Sequence, residues 1–463
     1  MNKLLFCLLA GLLPVSVWAQ NCNCKTDFDF VVNYFENNNP AFQQLKASPE
    51  AWARYQKELA SLQQETQKET DNDNCLLYME AYVGLLKDHH SAINVNLSRK
   101  DLSTPEKIES FKASPEYLAY KKLDTDTARL IHELQQKPVA SIEGLYTNGS
   151  SIYFGIREVA PGEYQGIVLR KNKFLDPGHV LLELKSEGPG RYRCTYHIGL
   201  LGFNFGHITK TLGIENGNIP EFGFSKQAGP ASNNLLPYEY KALDEKTNYL
   251  RLSSFNASLI NELDSFYKAI LPELKAKPYL VIDLRNNGGG SERAYYNLMP
   301  LIYTNPLEVD DVQVWVSADN IRRYEEAGRD SVLIARMKAA TPFSFIPQTA
   351  KNINRWKLKN PSKTPLKIAV LFNRGTASSA EGMITYCMQS KKVITLGQHS
   401  GGYIGYGDVM HTNTPCGNYD IASTTTKYKR NSRYEFTGIP PQVELPAETD
   451  WVEYARKKLE EQL

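Results

Sequence analysis

The run Leu366-Lys367-Ile368-Ala369-Val370-Leu371-Phe372, followed by Gly375-Thr376-Ala377-Ser378-Ser379-Ala380-Glu381, reads as a buried strand passing through a small-residue turn into a helix that continues to Gln389. A serine at such a turn presents its hydroxyl, and the N–H groups that open the helix can face a developing oxyanion. The plainer reading is a helix N-cap, since Ser and Thr at a helix start commonly serve that purpose. The rest of the chain decides between the two.

A second stretch pairs with it. Tyr279-Leu280-Val281-Ile282-Asp283-Leu284 reads as another buried strand, and Arg285-Asn286-Asn287-Gly288-Gly289-Gly290 as the turn that follows. Three glycines permit positive φ and close approach of the backbone to a ligand. Phosphate binding is disfavoured, because neither glycine-loop spacing for nucleotides is present. From about residue 240 onward strand and helix patterns alternate, through 249–252, 259–274, 279–284, 294–303, 366–372, 379–389 and 393–397. This predicts an α/β layered region with its site at the carboxyl ends of the strands.

Outward from that region the texture changes twice. Residues 139–225 carry short period-two runs separated by Pro161-Gly162, Asp176-Pro177-Gly178 and Gly188-Pro189-Gly190, which predicts an antiparallel barrel or sandwich. Residues 226–238 read as a linker. Residues 25–138 carry apolar residues at helical spacing, with Ala92–Val95 as a short strand. The expected fold class is α+β multidomain: a helical region over 20–138, an antiparallel β domain over 139–228, and an α/β layered domain over 239–463.

Residues 1–19 read as a secretory signal, with Lys3, the apolar run Leu4–Leu13 and a small-residue site ending at Ala19. The expected location is therefore periplasmic or extracellular. Six cysteines remain after its removal, and in an oxidising compartment Cys22 or Cys24 is expected to pair with Cys75, while Cys387 reads as a buried thiol. Cys22 and Cys24 do not have zinc spacing, so no metal is implied, and no organic cofactor either. No later segment has the length of a transmembrane helix. A net charge of +2 with interspersed signs offers nothing to nucleic acid.

Asp283-Leu284-Arg285-x-Asn287-x-Gly289-Gly290, with Gly375-Thr376-Ala377-Ser378-x-x-Glu381 some 90 residues later, resembles the S41 peptidase family, which includes the C-terminal processing proteases and the tricorn core protease. The resemblance covers residues 245–445. It implies a ClpP/crotonase-like catalytic domain, a peptide or protein substrate, Ser378 as nucleophile, and an oxyanion hole from the N–H groups of Ser379 and of Gly288 or Gly289. The processing proteases carry a lysine base 25 residues after the serine, and here that position is Tyr403. The chain thus resembles the tricorn-like branch. There Asp88-His89-His90-Ser91 supplies the base, His90, and Glu435, in Glu435-Phe436-Thr437-Gly438-Ile439-Pro440-Pro441, the carboxylate. That branch has a serine before the histidine, where this chain has His89, so the link from Glu435 to His90 stays open.

The chemistry is consistent with these types. A serine hydroxyl needs a base that is neutral near pH 7, and histidine, with a pKa of about 6.5, fits. Other readings remain at this stage: His399 or His89 as base, Ser379 as nucleophile, Glu381 as a plain first-turn carboxylate, and Glu435 as a solvated strand charge. Two other functions also remain, a binding protein on the same scaffold and a small-molecule ester or amide hydrolase. Oligomeric state is not encoded in any pattern recognised.

Overall fold

Asp283 and Phe372 end neighbouring parallel strands, and the polypeptide around them explains why. The computed structural model describes residues 22–70, 74–96, 98–99, 102, 104–138, 141–147, 152–172, 174–198, 204–214, 218–219, 224–227, 236–350, 355–446 and 448–461. The signal reading over 1–19 and much of the expected linker lie outside the described residues.

A six-stranded sheet runs in the order Tyr238–Ala242, Thr247–Leu252, Tyr279–Asp283, Lys367–Phe372, Val393–Gly397, Val443–Glu444. Its first pair is antiparallel and the rest parallel. Both faces are covered, which is why its central strands read as unbroken apolar runs. Leu280, Ile282, Ile368, Val370 and Phe372 pack toward one apolar cluster, with the helices Ile260–Ala276 and Ser379–Cys387. Tyr279, Val281, Ala369 and Leu371 pack toward another, with the helix Trp451–Glu461. The period of two along each strand separates the two cores.

The expected helix over 294–303 is a 3-10 segment, Glu292–Leu298, followed by one short α-helical turn, Met299–Ile302. Pro300 suits the start of that turn, where its missing N–H has no partner to lose.

A nine-stranded antiparallel sheet comprises Ser98–Arg99, Asn204–Gly213, Arg191–Ile198, Val180–Gly188, Glu163–Val168, Tyr153–Ala160, Gly144–Thr147, Phe224–Gln227 and Asn218–Ile219, in that spatial order. Its end strands do not pair with each other among the described residues.

The N-terminal helices Cys24–Asn38, Pro40–Lys46, Pro49–Lys68 and Cys75–Leu85 share one apolar cluster that also contains Tyr419 and Ile421. Cys24 and Cys75 form a disulfide, with Cα atoms 5.3 Å apart across 51 residues of sequence. Cys387 is a fully buried free thiol whose pKa burial pushes up to about 12. The strand Ala92–Val95 leaves the helices and pairs antiparallel with Tyr419–Tyr428, Ala92 opposite Ala422 and Ile93 opposite Ile421. That strand belongs to a sheet with Tyr406–Asn413, Val312–Trp315 and Phe345–Pro347. Strand pairing thus fixes the segment around residue 90 against residues more than 300 positions later. Among the described residues no helix is long and apolar enough to cross a membrane.

Candidate active site

Ser378 sits at φ +56° and ψ −123°, immediately before the helix Ser379–Cys387. This is a strained conformation for a residue with a Cβ, and such strain persists only where surroundings hold it. The surroundings are two interlocked turns. Asn286 N–H donates to Asn373 Oδ1 at 2.9 Å and Asn373 Nδ2 donates back to Asn286 Oδ1 at 2.9 Å. Ala377 N–H donates to the Asn287 carbonyl at 2.9 Å, and Thr376 Oγ1 to the Leu284 carbonyl at 2.8 Å. A Cβ on Gly375 would stand 2.5 Å from Asn286 Oδ1, and one on Gly289 would stand 2.7 Å from the Ser378 Cβ. Glycine at these two positions lets the turns close on each other.

Glu381 holds the turn from below. It is fully buried and accepts four hydrogen bonds: Ser378 N–H at 2.9 Å, Ser400 Oγ at 2.6 Å, Gly402 N–H at 2.8 Å and Tyr403 N–H at 2.8 Å. Burial raises its pKa and these donors oppose the rise. It is thus more than a first-turn carboxylate: it ties the Ser378 turn to the 400–403 loop.

His90 Nε2 lies 3.1 Å from Ser378 Oγ, across 288 residues of sequence. Burial lowers the pKa of His90 below 6.5, while the charge of Asp88 works the other way. Its Nδ1 is buried and has no hydrogen-bond partner. Asp88, to which sequence reasoning assigned no role, anchors the His90 turn. It accepts from His90 N–H at 3.0 Å, Ser91 Oγ at 2.6 Å, Asn39 Nδ2 at 3.1 Å and Thr424 Oγ1 at 2.6 Å.

Glu435 does not touch the His90 ring. Its Oε1 accepts the backbone N–H of His89 at 2.9 Å, and its Oε2 accepts Gly405 N–H. Burial is the largest cause pushing Glu435 up to about 7, against those two donors. The His89 side chain engages the 402–403 loop instead. Its Nδ1 donates to the Gly402 carbonyl at 2.8 Å, and its ring stacks on Tyr403 with centroids 4.2 Å apart. His399 Nδ1 donates to the Thr437 carbonyl at 3.0 Å, and no contact joins it to Ser378.

The candidate oxyanion donors differ in what already engages their N–H groups. Ser379 is the first residue of its helix, where the N–H has no intrahelical acceptor. Gly289 N–H is taken by Asn287 Oδ1 at 2.9 Å. Gly288 N–H makes no hydrogen bond among the described residues.

Ser378, Ser379 and His90 line a cavity of about 1250 Å³. Tyr403 lines it as well. Among the described residues no cluster of metal-ligating side chains is present.

Residues 246–445 match the family model for peptidase family S41. That stretch is similar to the S41 peptidases over its whole length. Among solved structures it is similar to mature CPAF, with 13% identity over 95% of each chain and a TM-score of 0.50. It is equally similar to mature CPAF complexed with lactacystin, at 13% identity over 95% of this chain and 97% of that one, with a TM-score of 0.50. At such identity the likeness is one of fold. No curated protein matches the sequence.

Proposed function

We propose that this chain is an exported serine peptidase that cleaves peptide bonds through an acyl-enzyme, with Ser378 as nucleophile and His90 as general base. One observation carries the reading: the 3.1 Å contact between His90 Nε2 and Ser378 Oγ, at a strained strand-to-helix turn facing a large cavity. His90 Nε2 takes the Oγ proton as Oγ attacks the substrate carbonyl, then delivers it to the leaving amine. Burial keeps His90 neutral near pH 7, as a base must be, and the field of Asp88 favours the imidazolium formed during attack.

The carbonyl oxygen, as it gains charge, is met by the N–H of Ser379 and the N–H of Gly288. Each such donor is worth about 3–4 kcal/mol to the transition state. A water molecule then repeats the sequence on the acyl-enzyme. Glu435 acts by fixing the backbone of His89, one residue before the base, rather than by orienting the imidazole directly.

The S41 region supports peptides as substrates. The Cys24–Cys75 disulfide supports an oxidising compartment, in line with the signal read over residues 1–19. For residues 239–463 we propose a ClpP/crotonase-like layering, supported by four parallel strand pairings with an apolar cluster on each face. Helical and β-rich regions over 20–138 and 139–228 complete the proposed organisation.

The test is labelling with a fluorophosphonate probe and mapping of the modified peptide. Modification at Ser378 is expected in the wild type, and its absence from folded protein would refute the hydrolase reading. Loss of labelling in His399→Ala with retention in His90→Ala would move the base to His399.

A further inference from the structure

Glu292 stands in the same cavity as Ser378 and His90. It opens the 3-10 segment that follows the triple glycine, with Ser291 as its cap. Gly382 lies one helical turn beyond the nucleophile, its N–H donating to the Ser378 carbonyl at 3.0 Å. A Cβ on Gly382 would stand 3.5 Å from Glu292 Oε1 and 3.4 Å from the Tyr295 hydroxyl. Gly382 thus places this carboxylate beside the helix turn that follows the nucleophile.

Each of the other carboxylates of the cavity stands beside a cation, Glu308 and Asp310 sharing Arg430. Glu308 meets Arg430 at 2.6 Å and Asp310 meets it at 3.8 Å, Asp311 meets Lys429 at 3.4 Å, and Asp408 meets Arg329 at 2.5 Å. Glu292 has no cationic partner among the described residues. Among the described residues its side chain accepts only a long hydrogen bond, from the Tyr296 hydroxyl at 3.3 Å. A half-buried, uncompensated carboxylate is costly unless a cation arrives to pair with it. Tyr386 and Tyr428 line the cavity too. Burial raises the pKa of both hydroxyls, and the charge of Glu292 adds to the rise, so its field reaches both rings. Aromatic faces beside a carboxylate suit an alkyl stem carrying a positive head.

We infer that the cavity beside Ser378 receives a lysine or arginine side chain of the substrate residue whose carbonyl is attacked, with Glu292 as its counter-ion. This rests on the peptidase reading above and names the substrate class for that site.

Peptides that differ only at that residue test it: arginine against citrulline, and lysine against norleucine, read as kcat/KM. Wild-type protein is expected to favour the charged member of each pair by at least about tenfold, since the neutral one leaves the carboxylate unpaired. In Glu292→Gln the arginine-to-citrulline ratio is expected to fall to within about twofold of one, and in Glu292→Arg the preference is expected to pass to glutamate. A wild-type ratio near or below one overturns the inference without any variant having to fold. So does a ratio that Glu292→Gln leaves unchanged. Fluorophosphonate labelling separates the two levels. Labelling at Ser378 without a basic preference overturns the counter-ion alone, whereas no labelling and no cleavage overturn the peptidase reading and this inference with it.

Discussion

The turns that carry Ser378 and His90 are each held by one buried carboxylate with four donors, yet the donors differ in kind. Glu381 collects three backbone N–H groups and one hydroxyl. Asp88 collects one backbone N–H and three side chains, from Asn39, Ser91 and Thr424. Backbone donors are indifferent to residue type but cannot reverse direction. Hydroxyls depend on the residue present but rotate freely and accept as readily as they donate. The first turn is therefore rigid and the second adaptable, although the two meet at a single 3.1 Å contact.

Breaking that contact is expected to have the largest effect. On the proposed mechanism, Ser378→Ala and His90→Ala should each lower kcat on a peptide substrate by about 10⁴- to 10⁶-fold, with little further loss in the double variant, because a nucleophile and its base act as one unit. Steady-state kinetics on the two single variants and the double variant measure this. Additive losses would mean that the two side chains do not work together.

The contrast between the two carboxylates sets the next effect. Glu381→Gln places an amide NH₂ among backbone N–H donors that cannot turn away, at a cost of about 1–3 kcal/mol for each buried group left unpaired. Urea unfolding should register that loss, and labelling of Ser378 should slow by roughly 100-fold as its turn shifts. Asp88→Asn should cost less, since Ser91 and Thr424 can rotate to accept from the new amide. Equal losses in the two variants would refute the distinction between rigid and adaptable turns.

Asp88→Asn also has a pH signature. Burial holds the His90 pKa below its ordinary 6.5 and Asp88 raises it. The acid limb of kcat/KM is therefore expected below pH 6.5 in the wild type, and lower still once the carboxylate is gone. Stability has the same sign. A histidine whose folded pKa is depressed contributes fully above its unfolded value and loses that contribution as pH falls toward the folded one. An acid limb above pH 6.5, or one that moves upward in Asp88→Asn, would contradict the assignment.

The two turns also differ in how much of them could be read in the chain. Ser378 was legible because its signal is local: an apolar strand, small residues and a helix start within 16 positions. The paired apolar strands of the parallel sheet were legible for the same reason. His90 emerged only through a family resemblance, because its placement depends on Ala92–Val95 pairing with Tyr419–Tyr428, a register that no local pattern specifies. Gly288 and Gly289 could not be separated from sequence, since the capture of one N–H by Asn287 Oδ1 is a matter of turn geometry. Glu435 was singled out through the same resemblance, but its acceptance of a backbone N–H from His89 needs coordinates. Glu292 passed unnoticed beside the triple glycine, because a lone acidic residue at a helix start is ordinary. Its signal is the lack of a cation around it in space.

The smallest expected effect concerns strain, which both turns carry. Ser378 has φ +56° and Lys87, just before Asp88, has φ +58°. Glycine adopts positive φ without the Cβ penalty, but it costs about 0.5–1 kcal/mol in unfolded-chain entropy. At Ser378 the conformation is the more strained of the two, with ψ −123°, and strain of this kind costs about 1–3 kcal/mol. Ser378→Gly should therefore be more stable than Ser378→Ala by roughly 1 kcal/mol, both variants lacking the nucleophile and so differing only in backbone freedom. At Lys87 the residue follows the C-cap of the helix Cys75–Leu85, where glycine is common, and its Nζ lies 5.4 Å from the Phe436 ring centroid. Relief of its milder strain is offset by loss of that cation–π contact, worth about 0.5–1 kcal/mol, so Lys87→Gly should leave stability nearly unchanged. Urea unfolding of the three variants decides the matter. A gain at Lys87 equal to that at Ser378 would mean that the nucleophile turn stores no more strain than an ordinary helix end.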